Sequence, residues 1–167
     1  PISIMVGTGR SASAGVLIKN AEALEILEKV DTLVVDKTGT LTEGKPKLAT
    51  VTPSDGVTER EVLRLAASLE RGSEHPLAGA IVQGAQEKGV ELGKIADFQS
   101  VTGKGVTGKI AGREVALGNL ALMQDHGVDA GNLLQKADGL RAEGQTVMFL
   151  GVDGKAAGLI GVADPIK

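Results

Sequence analysis

The 167-residue sequence has no cysteine, tryptophan or tyrosine, and its aromatic side chains are limited to Phe98 and Phe149. The absence of cysteine excludes a disulfide scaffold, a thiolate zinc site and a cysteine nucleophile. The scarcity of aromatic rings argues against a surface on which nucleic acid bases stack. Lysine and arginine number 18 against 21 aspartates and glutamates, a net charge of −3, so the sequence also lacks the basic excess of a nucleic-acid-binding protein.

Long apolar segments are missing as well. No run of the sequence approaches the roughly 18 residues of a membrane-spanning helix, and no signal peptide is recognisable. Glycine, by contrast, is abundant at 24 residues. This is about twice the average usage of ~7%, and it indicates many turns or close backbone approaches to a ligand. The length suits one domain, or one domain with pieces of another.

The first part of the chain shows only a weak pattern of apolar and polar residues. Residues 1–20 have no core pattern of their own, whereas leucines and glutamates fall on opposite sides of a short helix predicted over Ala21–Val30. The apolar segment Thr32–Val35 does not alternate, which predicts a strand covered on both faces of a sheet. This strand ends at Asp36, and a loop rich in glycine and threonine follows to Pro46.

The remaining chain predicts a different domain, from about residue 47 to 157. A capping box at Thr58 begins one amphipathic helix to about Glu70, and Pro76 suits the first turn of a second helix that stops at Gly89. Hairpins are predicted at Ala111–Gly112 and Asp153–Gly154, between which lie helix N-caps at Asn119 and Asp129 and helix stops at Gly127 and Gly144. Helices alternating with hairpins indicate an α+β fold with an antiparallel sheet.

The strand-end segment DKTGT, residues 36–40, is the most informative motif. Asp36 follows a predicted buried strand at the edge where open α/β sheets bind ligands. An aspartate in this position can attack phosphorus and form an aspartyl phosphate. Lys37 and the backbone of the Thr/Gly loop supply a cation and N–H donors to a phosphoryl group. A lone aspartate would more simply begin a turn, but the whole pentapeptide favours phosphoryl chemistry.

Two other glycine-containing patterns in the sequence are similar to known nucleotide-binding motifs. Residues 39–45 spell the start of a Walker A loop, but Pro46 stands where the magnesium-binding hydroxyl would be, so we reject that interpretation. Residues 103–108 read G-x-G-x-x-G before a hairpin rather than a helix, which is a weak dinucleotide signature. Gly103 and Gly105 instead either permit close approach of a nucleotide or belong to a glycine-rich turn.

The segment SEHPL, residues 73–77, places His75 directly before a predicted helix start. A neutral imidazole there can hydrogen-bond the edge of a purine, and a helix N-terminus favours anionic neighbours. A histidine that merely precedes a proline at a helix entry is an equal alternative on residue types alone. His126, in the polar context Gln-Asp-His-Gly, receives no predicted role.

Taken together, DKTGT followed by Leu41–Thr42, and SEHPLA at residues 73–78, resemble the heavy-metal branch of the P-type ATPases along essentially the whole chain. The segment IMVGTGRSASAGVLIKNAEALE is more similar to the copper and silver pumps than to the zinc and cadmium pumps. The resemblance divides the chain into a connector from a membrane helix (1–30), a first segment of the phosphorylation domain (31–46), a nucleotide-binding domain (47–157) and a return segment (158–167).

The resemblance implies an enzyme of the ATP-driven transport class, in which ATP phosphorylates an aspartate to drive copper(I) or silver export. It implies catalytic roles for Asp36, Lys37 and Thr38, and an incomplete magnesium site at Asp36 and Thr38. It also implies an ATP site at Glu74, His75, Gly103, Gly105, Gly118 and Asn119. We expect this portion to be a soluble monomer on the cytoplasmic side of a membrane protein, to have the rest of the pump as its partner, to bind no nucleic acid and to be inactive alone.

Two other functions stay open. A soluble aspartate-dependent phosphatase would use the same nucleophile, but such relatives carry a second aspartate where this chain has Thr38, which is no acid or base near neutral pH. A module that binds nucleotide without being phosphorylated is the alternative that involves no catalysis.

Overall fold

The structure, a computed structural model, describes residues 2–167. The chain forms two compact units, Pro1–Asp36 and Lys37–Lys167. No helix within the described part is long and apolar enough to cross a membrane.

The first unit contains two helices, α1 (Ile2–Ser13) and α2 (Ala21–Leu27), and neither has a buried residue. The helix predicted over 21–30 is confirmed in a shorter form, and α2 begins where the Asn20 side chain accepts a hydrogen bond from the Glu22 amide at 3.0 Å. Helix α1 was not expected, because small residues dominate its sequence.

The strand predicted at Thr32–Val35 does not form. The Leu33 side chain is 72% exposed and that of Val34 is 91% exposed, so the segment is not covered on either face. A strand is held by hydrogen bonds to a neighbouring strand, and within residues 2–167 no segment pairs with this one. Thr32–Val35 thus has the apolar sequence of a buried strand, but within residues 2–167 it has no neighbouring strand with which to pair.

The second unit is built on one antiparallel sheet of six strands in the order β1-β6-β5-β4-β3-β2. The predicted α+β class with an antiparallel sheet is confirmed. The strands are β1 (Lys47–Pro53), β2 (Ile95–Val101), β3 (Gly105–Ile110), β4 (Arg113–Gly118), β5 (Thr146–Val152) and β6 (Lys155–Ala163). Strand β6 pairs with β1 as far as Lys47 and Ala163. The sheet therefore extends past residue 157.

Helices cover both faces of the sheet. Helices α3 (Glu59–Glu70) and α4 (Pro76–Glu87) pack on one face, while α5 (Leu120–Asp125) and α6 (Gly131–Ala142) pack on the other. Two apolar clusters result, with Leu63 and Ile110 in the first and Phe149 in the second, each at most 1% exposed. A fully buried side chain of this kind contributes roughly 1.5–3 kcal/mol to folding.

The local signals at turns and caps are confirmed, with one shift. The first hairpin turn has φ of 50° at Ala111 and 76° at Gly112, and the Asp153–Gly154 turn has 48° and 76°, as type I′ turns require. Thr58 accepts from the Glu61 amide at 3.2 Å, and Asn119 accepts from the Leu122 amide at 3.1 Å. Asp129 lies one residue before the N-cap of α6, where its carboxylate still accepts from the Gly131 amide at 2.9 Å.

Candidate functional site

The connection between α3 and α4 presents His75 as the N-cap of α4. Its backbone is extended, with φ −66° and ψ 139°, and its Nδ1 accepts a hydrogen bond from the Leu77 amide at 3.2 Å. Because Nδ1 uses its lone pair in this bond, the proton of the neutral ring lies on Nε2. The exposed His75 therefore presents Nε2 to solvent as its hydrogen-bond donor.

Glu70, the last residue of α3, is a functional candidate that the sequence interpretation missed. It is only 5% exposed, and its Oε2 atom is buried with no hydrogen-bond partner. Burial raises the pKa of Glu70, and a hydrogen bond from Ser73 and the charge of His75 offset this only in part. A buried carboxyl group with a displaced pKa and an unused acceptor indicates a ligand site. The available sequence signal was the helical spacing that puts Glu70 in line with the buried Leu63 and Ala67.

Glu74, the acidic residue that we predicted, lies at the exposed end of the same connection beside His75. The two glutamates are four residues apart but differ in environment, because Glu70 is enclosed by the core and Glu74 faces solvent. The structure thus offers two acidic groups near His75, one buried and one exposed.

The four remaining residues of the predicted ATP site come together at the ends of β3 and β4. We call Gly103, Gly105, Gly118 and Asn119 the glycine cluster. Gly105 pairs directly with Gly118 across the two strands. A Cβ atom on Gly118 would lie 2.1 Å from the Lys104 carbonyl oxygen, and one on Gly105 would lie 2.2 Å from the Leu117 carbonyl oxygen. These two glycines are therefore required by the close approach of the strands themselves.

Gly103 differs from the other two glycines of the cluster. Its φ is 71°, which favours glycine, but a Cβ atom there would meet no other atom within 4 Å. The Asn119 side-chain amide donates to the Gly103 carbonyl at 2.8 Å, and the Asn119 backbone amide donates to the Lys104 carbonyl at 2.8 Å. The turn at Gly103 is thus fixed by Asn119 while its outer surface stays open.

Strand β2 links the two parts of the site. Gly72, in the α3–α4 connection, lies so close to the Phe98 ring on β2 that an added Cβ would be 3.1 Å from it. Strand β2 ends at Val101, which pairs with Gly105 of the glycine cluster. The connection that carries Glu70 and His75 and the turn at Gly103 are therefore both anchored to the same edge strand.

A cavity of about 400 Å³ lies elsewhere, on the opposite face of β2–β4. Its floor includes Gln99, Thr107 and Ala116, and His126 lines its side. None of the predicted ATP-site residues lines it. We place the candidate site at Glu70 and His75, because Glu70 Oε2 is one of the buried polar atoms without a hydrogen-bond partner and lies beside the exposed His75.

The DKTGT segment spans the boundary between the two units, with Asp36 closing the first and Lys37 opening the second. Residues Lys37–Leu41 form an irregular helical turn, interrupted at Gly39, whose φ is 77°. Asp36, Lys37 and Thr38 are all exposed. Within residues 2–167, no group of three or more His, Cys, Asp or Glu side chains could hold a metal ion.

One family model and several curated proteins match the chain. The family model for haloacid dehalogenase-like hydrolases matches residues 30–167. A copper-exporting P-type ATPase of Legionella pneumophila is 60% identical over the whole chain, which covers 23% of that protein. A silver-exporting P-type ATPase of Salmonella typhimurium is 51% identical over the whole chain, which covers 20% of it. The chain thus spans about a fifth of the length of these relatives.

Solved structures agree with the fold. A zinc-transporting PIB-type ATPase in its E2.Pi state matches with a TM-score of 0.75 and 33% identity, over 98% of this chain and 26% of that one. The N-domain of HMA6, a copper-transporting P-type ATPase, matches with a TM-score of 0.60 and 29% identity, over 71% of this chain and 98% of that domain.

Proposed function

Because the chain belongs to the haloacid dehalogenase-like hydrolase family, we propose that it is the ATP-binding portion of a pump in which phosphorylation of Asp36 drives export of copper(I) or silver. The resemblance to P-type ATPases expected from DKTGT and SEHPLA is confirmed by whole-chain identities of 60% and 51% to copper- and silver-exporting members. The names of these relatives support the choice of ion. The small share of each relative that the chain covers supports the remainder of the pump as partner, and export as the function implies a membrane location of the parent protein.

The observation that carries the ATP-binding proposal is the buried Glu70 carboxyl group with an unpartnered oxygen beside His75. In this proposal the Nε2–H of His75 donates to a ring nitrogen of adenine, and the free Glu70 oxygen accepts from the exocyclic amine. Gly103 gives the nucleotide a side-chain-free approach, and the exposed Glu74 stays a proposed contact at the rim.

The proposed chemistry at Asp36 is a direct phosphoryl transfer. A carboxylate oxygen of Asp36 bonds to the γ-phosphorus of ATP, and the bond from that phosphorus to the bridging oxygen breaks. ADP leaves with the electron pair, and the products are ADP and an aspartyl phosphate. Lys37 balances charge on the transferred group, because this reaction depends mainly on positioning and electrostatics. Thr38 has no acid or base function near neutral pH, so it does not assist hydrolysis of the aspartyl phosphate.

Magnesium would neutralise phosphate charge in such a reaction. It takes oxygen ligands, often one or two carboxylates together with substrate phosphates. Asp36 and Thr38 contribute at most one carboxylate and one hydroxyl. With no further acidic group gathered within residues 2–167, we derive no step through the ion.

A matched pair of variants tests the nucleotide site. In His75→Asn the amide oxygen can replace Nδ1 as the cap of α4, but the donor at Nε2 is lost. We expect unfolding to be unchanged and ATP binding to weaken by roughly 0.5–1.5 kcal/mol, the value of one hydrogen bond. His75→Ala should lose the cap as well, at a cost of about 0.5–2 kcal/mol in stability. If His75→Asn binds ATP as tightly as the parent in calorimetric titration, His75 is only a helix cap.

The transport function is tested on the full-length protein that contains this sequence. ATP hydrolysis should be stimulated by copper(I) or silver(I) and abolished in Asp36→Asn. Stimulation by zinc alone would contradict the proposed ion. Rapid phosphatase activity without any metal would favour the soluble phosphatase alternative, and ATP binding without phosphorylation of Asp36 would favour a binding module.

A further inference from the structure

Two segments that are far apart in the sequence meet where the chain enters and leaves the sheet, and we call residues 41–45 and 164–167 the crossing. Thr42 forms a bridge with Ile166. The Glu43 amide donates to the Pro165 carbonyl at 2.8 Å, and the Lys167 amide donates to the Leu41 carbonyl at 3.0 Å. The segment that follows the proposed nucleophile is therefore bound to residues more than 120 positions later in the chain.

The carboxylate of Asp164 fixes one side of the crossing with three hydrogen bonds. It accepts from the Thr42 hydroxyl at 2.5 Å, from the Gly44 amide at 3.2 Å and from the Lys45 amide at 3.0 Å. Hydrogen bonds to an ionised acceptor are roughly twice as strong as neutral ones. Asp164 therefore holds the backbone of residues 44–45 and orients the Thr42 hydroxyl at once.

The Thr42 hydroxyl connects the Asp164 carboxylate to the turn at Gly39. Thr42 is only 1% exposed. Its single proton goes to Asp164, and its oxygen accepts from the Gly39 amide at 3.2 Å. From the other side, the Lys167 ammonium donates to the Gly39 carbonyl at 2.6 Å. Both backbone polar groups of Gly39 are thus held by side chains, at a residue whose φ is 77°.

We propose that Asp164, Thr42 and Lys167 are positioning residues for phosphoryl transfer, because they fix the turn that directly follows Asp36 in the chain. This inference rests on the proposed function of Asp36 as phosphoryl acceptor. The three residues contact neither reactant in this scheme. They set the conformation of residues 37–42 while Asp36 attacks the γ-phosphorus and ADP leaves with the bonding electron pair. Their loss should therefore slow the transfer and leave ATP binding unchanged.

Variants in the full-length protein test this by rapid-quench measurement of acid-stable phosphoenzyme over a range of ATP concentrations with magnesium. Thr42→Val and Lys167→Met should lower the maximal rate of phosphorylation about tenfold to a hundredfold, as expected for a misplaced reacting group. The ATP concentration for half-maximal rate should stay unchanged. Thr42→Ser keeps the hydroxyl and should restore most of the rate lost in Thr42→Val.

Lys88→Met is the matched control, because it removes an exposed lysine that pairs with Glu59 far from the crossing in the sequence, and it should phosphorylate like the parent. Lys167→Met also gives an answer if the buried Thr42→Val does not fold, since Lys167 is exposed. Three results would overturn the inference. They are normal phosphorylation rates in Thr42→Val and Lys167→Met, equal rate defects in Thr42→Ser and Thr42→Val, and a loss that is confined to ATP affinity. Absence of phosphoenzyme in the parent protein would instead refute the function proposed for Asp36.

Discussion

Replacing Glu70 by glutamine should make the folded chain more stable at alkaline pH. Burial raises the pKa of Glu70 above its value in the unfolded chain. Between the unfolded and the folded pKa, the folded state therefore binds more protons than the unfolded state. The stability of the parent is highest below the unfolded pKa and falls as pH rises through the folded pKa. A glutamine does not titrate, so this loss is absent in Glu70→Gln.

The size of the effect follows from the environment of the carboxyl group. Glu70 is 5% exposed and one of its oxygens has no hydrogen-bond partner. A buried polar group without a partner costs about 1–3 kcal/mol, and more when it is charged. We expect Glu70→Gln to exceed the parent by about 1–3 kcal/mol at pH 8. The difference should shrink towards zero near pH 4, where the parent carboxyl group is also neutral.

Urea unfolding of both proteins at intervals from pH 4 to pH 8 measures this difference directly, since the other titrating groups cancel between them. The control is Glu74→Gln, which removes an exposed carboxylate four residues away. Its difference from the parent should stay within about 0.5 kcal/mol at every pH. A Glu70→Gln difference that does not vary with pH, or one that grows as pH falls, would refute the assignment of a raised pKa. Weaker ATP binding by the more stable variant would support a ligand role for Glu70.

The remaining predictions concern the glycine cluster and the nucleophile. Gly118→Ala should destabilise the fold by about 1–3 kcal/mol or more, because its Cβ would lie 2.1 Å from a backbone oxygen. Gly103→Asn should unfold like the parent, since asparagine tolerates positive φ. Equal losses of stability in the two variants, measured by chemical denaturation, would contradict this. The present chain should bind ATP yet form no acid-stable phosphoenzyme, because the described residues gather no metal-holding group to offset repulsion between carboxylate and phosphate. Asp36→Asn should accordingly leave the ATP affinity of this chain unchanged, and stoichiometric label from γ-labelled ATP would show the opposite.

The elements that could be predicted from the sequence depend on interactions within a few residues. Thr58 caps α3 through an amide three positions later, and Pro76 occupies the first turn of α4. The turn at Asp153–Gly154 needs positive φ at both residues, which this dipeptide accommodates readily. These caps and turns are formed by residues that are close together in the sequence. Contacts with distant parts of the chain therefore seldom change them.

The elements that could not be predicted depend on distant partners. The segment Thr32–Val35 has the composition of a buried strand, but a strand also needs a neighbour, and none in residues 2–167 pairs with it. In the same way, the pairing of β1 with β6 joins residues more than 100 positions apart, and no local sequence pattern predicts this pairing. The crossing at Asp164 belongs to this class, since the sequence places its carboxylate after a strand without indicating which amides it accepts from.

The glycine cluster shows why a motif match does not by itself assign a ligand. The G-x-G spacing of Gly103 and Gly105 favoured close approach of a nucleotide, and Gly118 was assigned to the site through the resemblance to P-type ATPases. In the folded chain Gly105 and Gly118 make room for each other, since each would place a Cβ within 2.2 Å of a carbonyl oxygen of the opposite segment. Only Gly103 has open space around its missing side chain, so the effect of its substitution on ATP binding can be separated from any effect on the sheet.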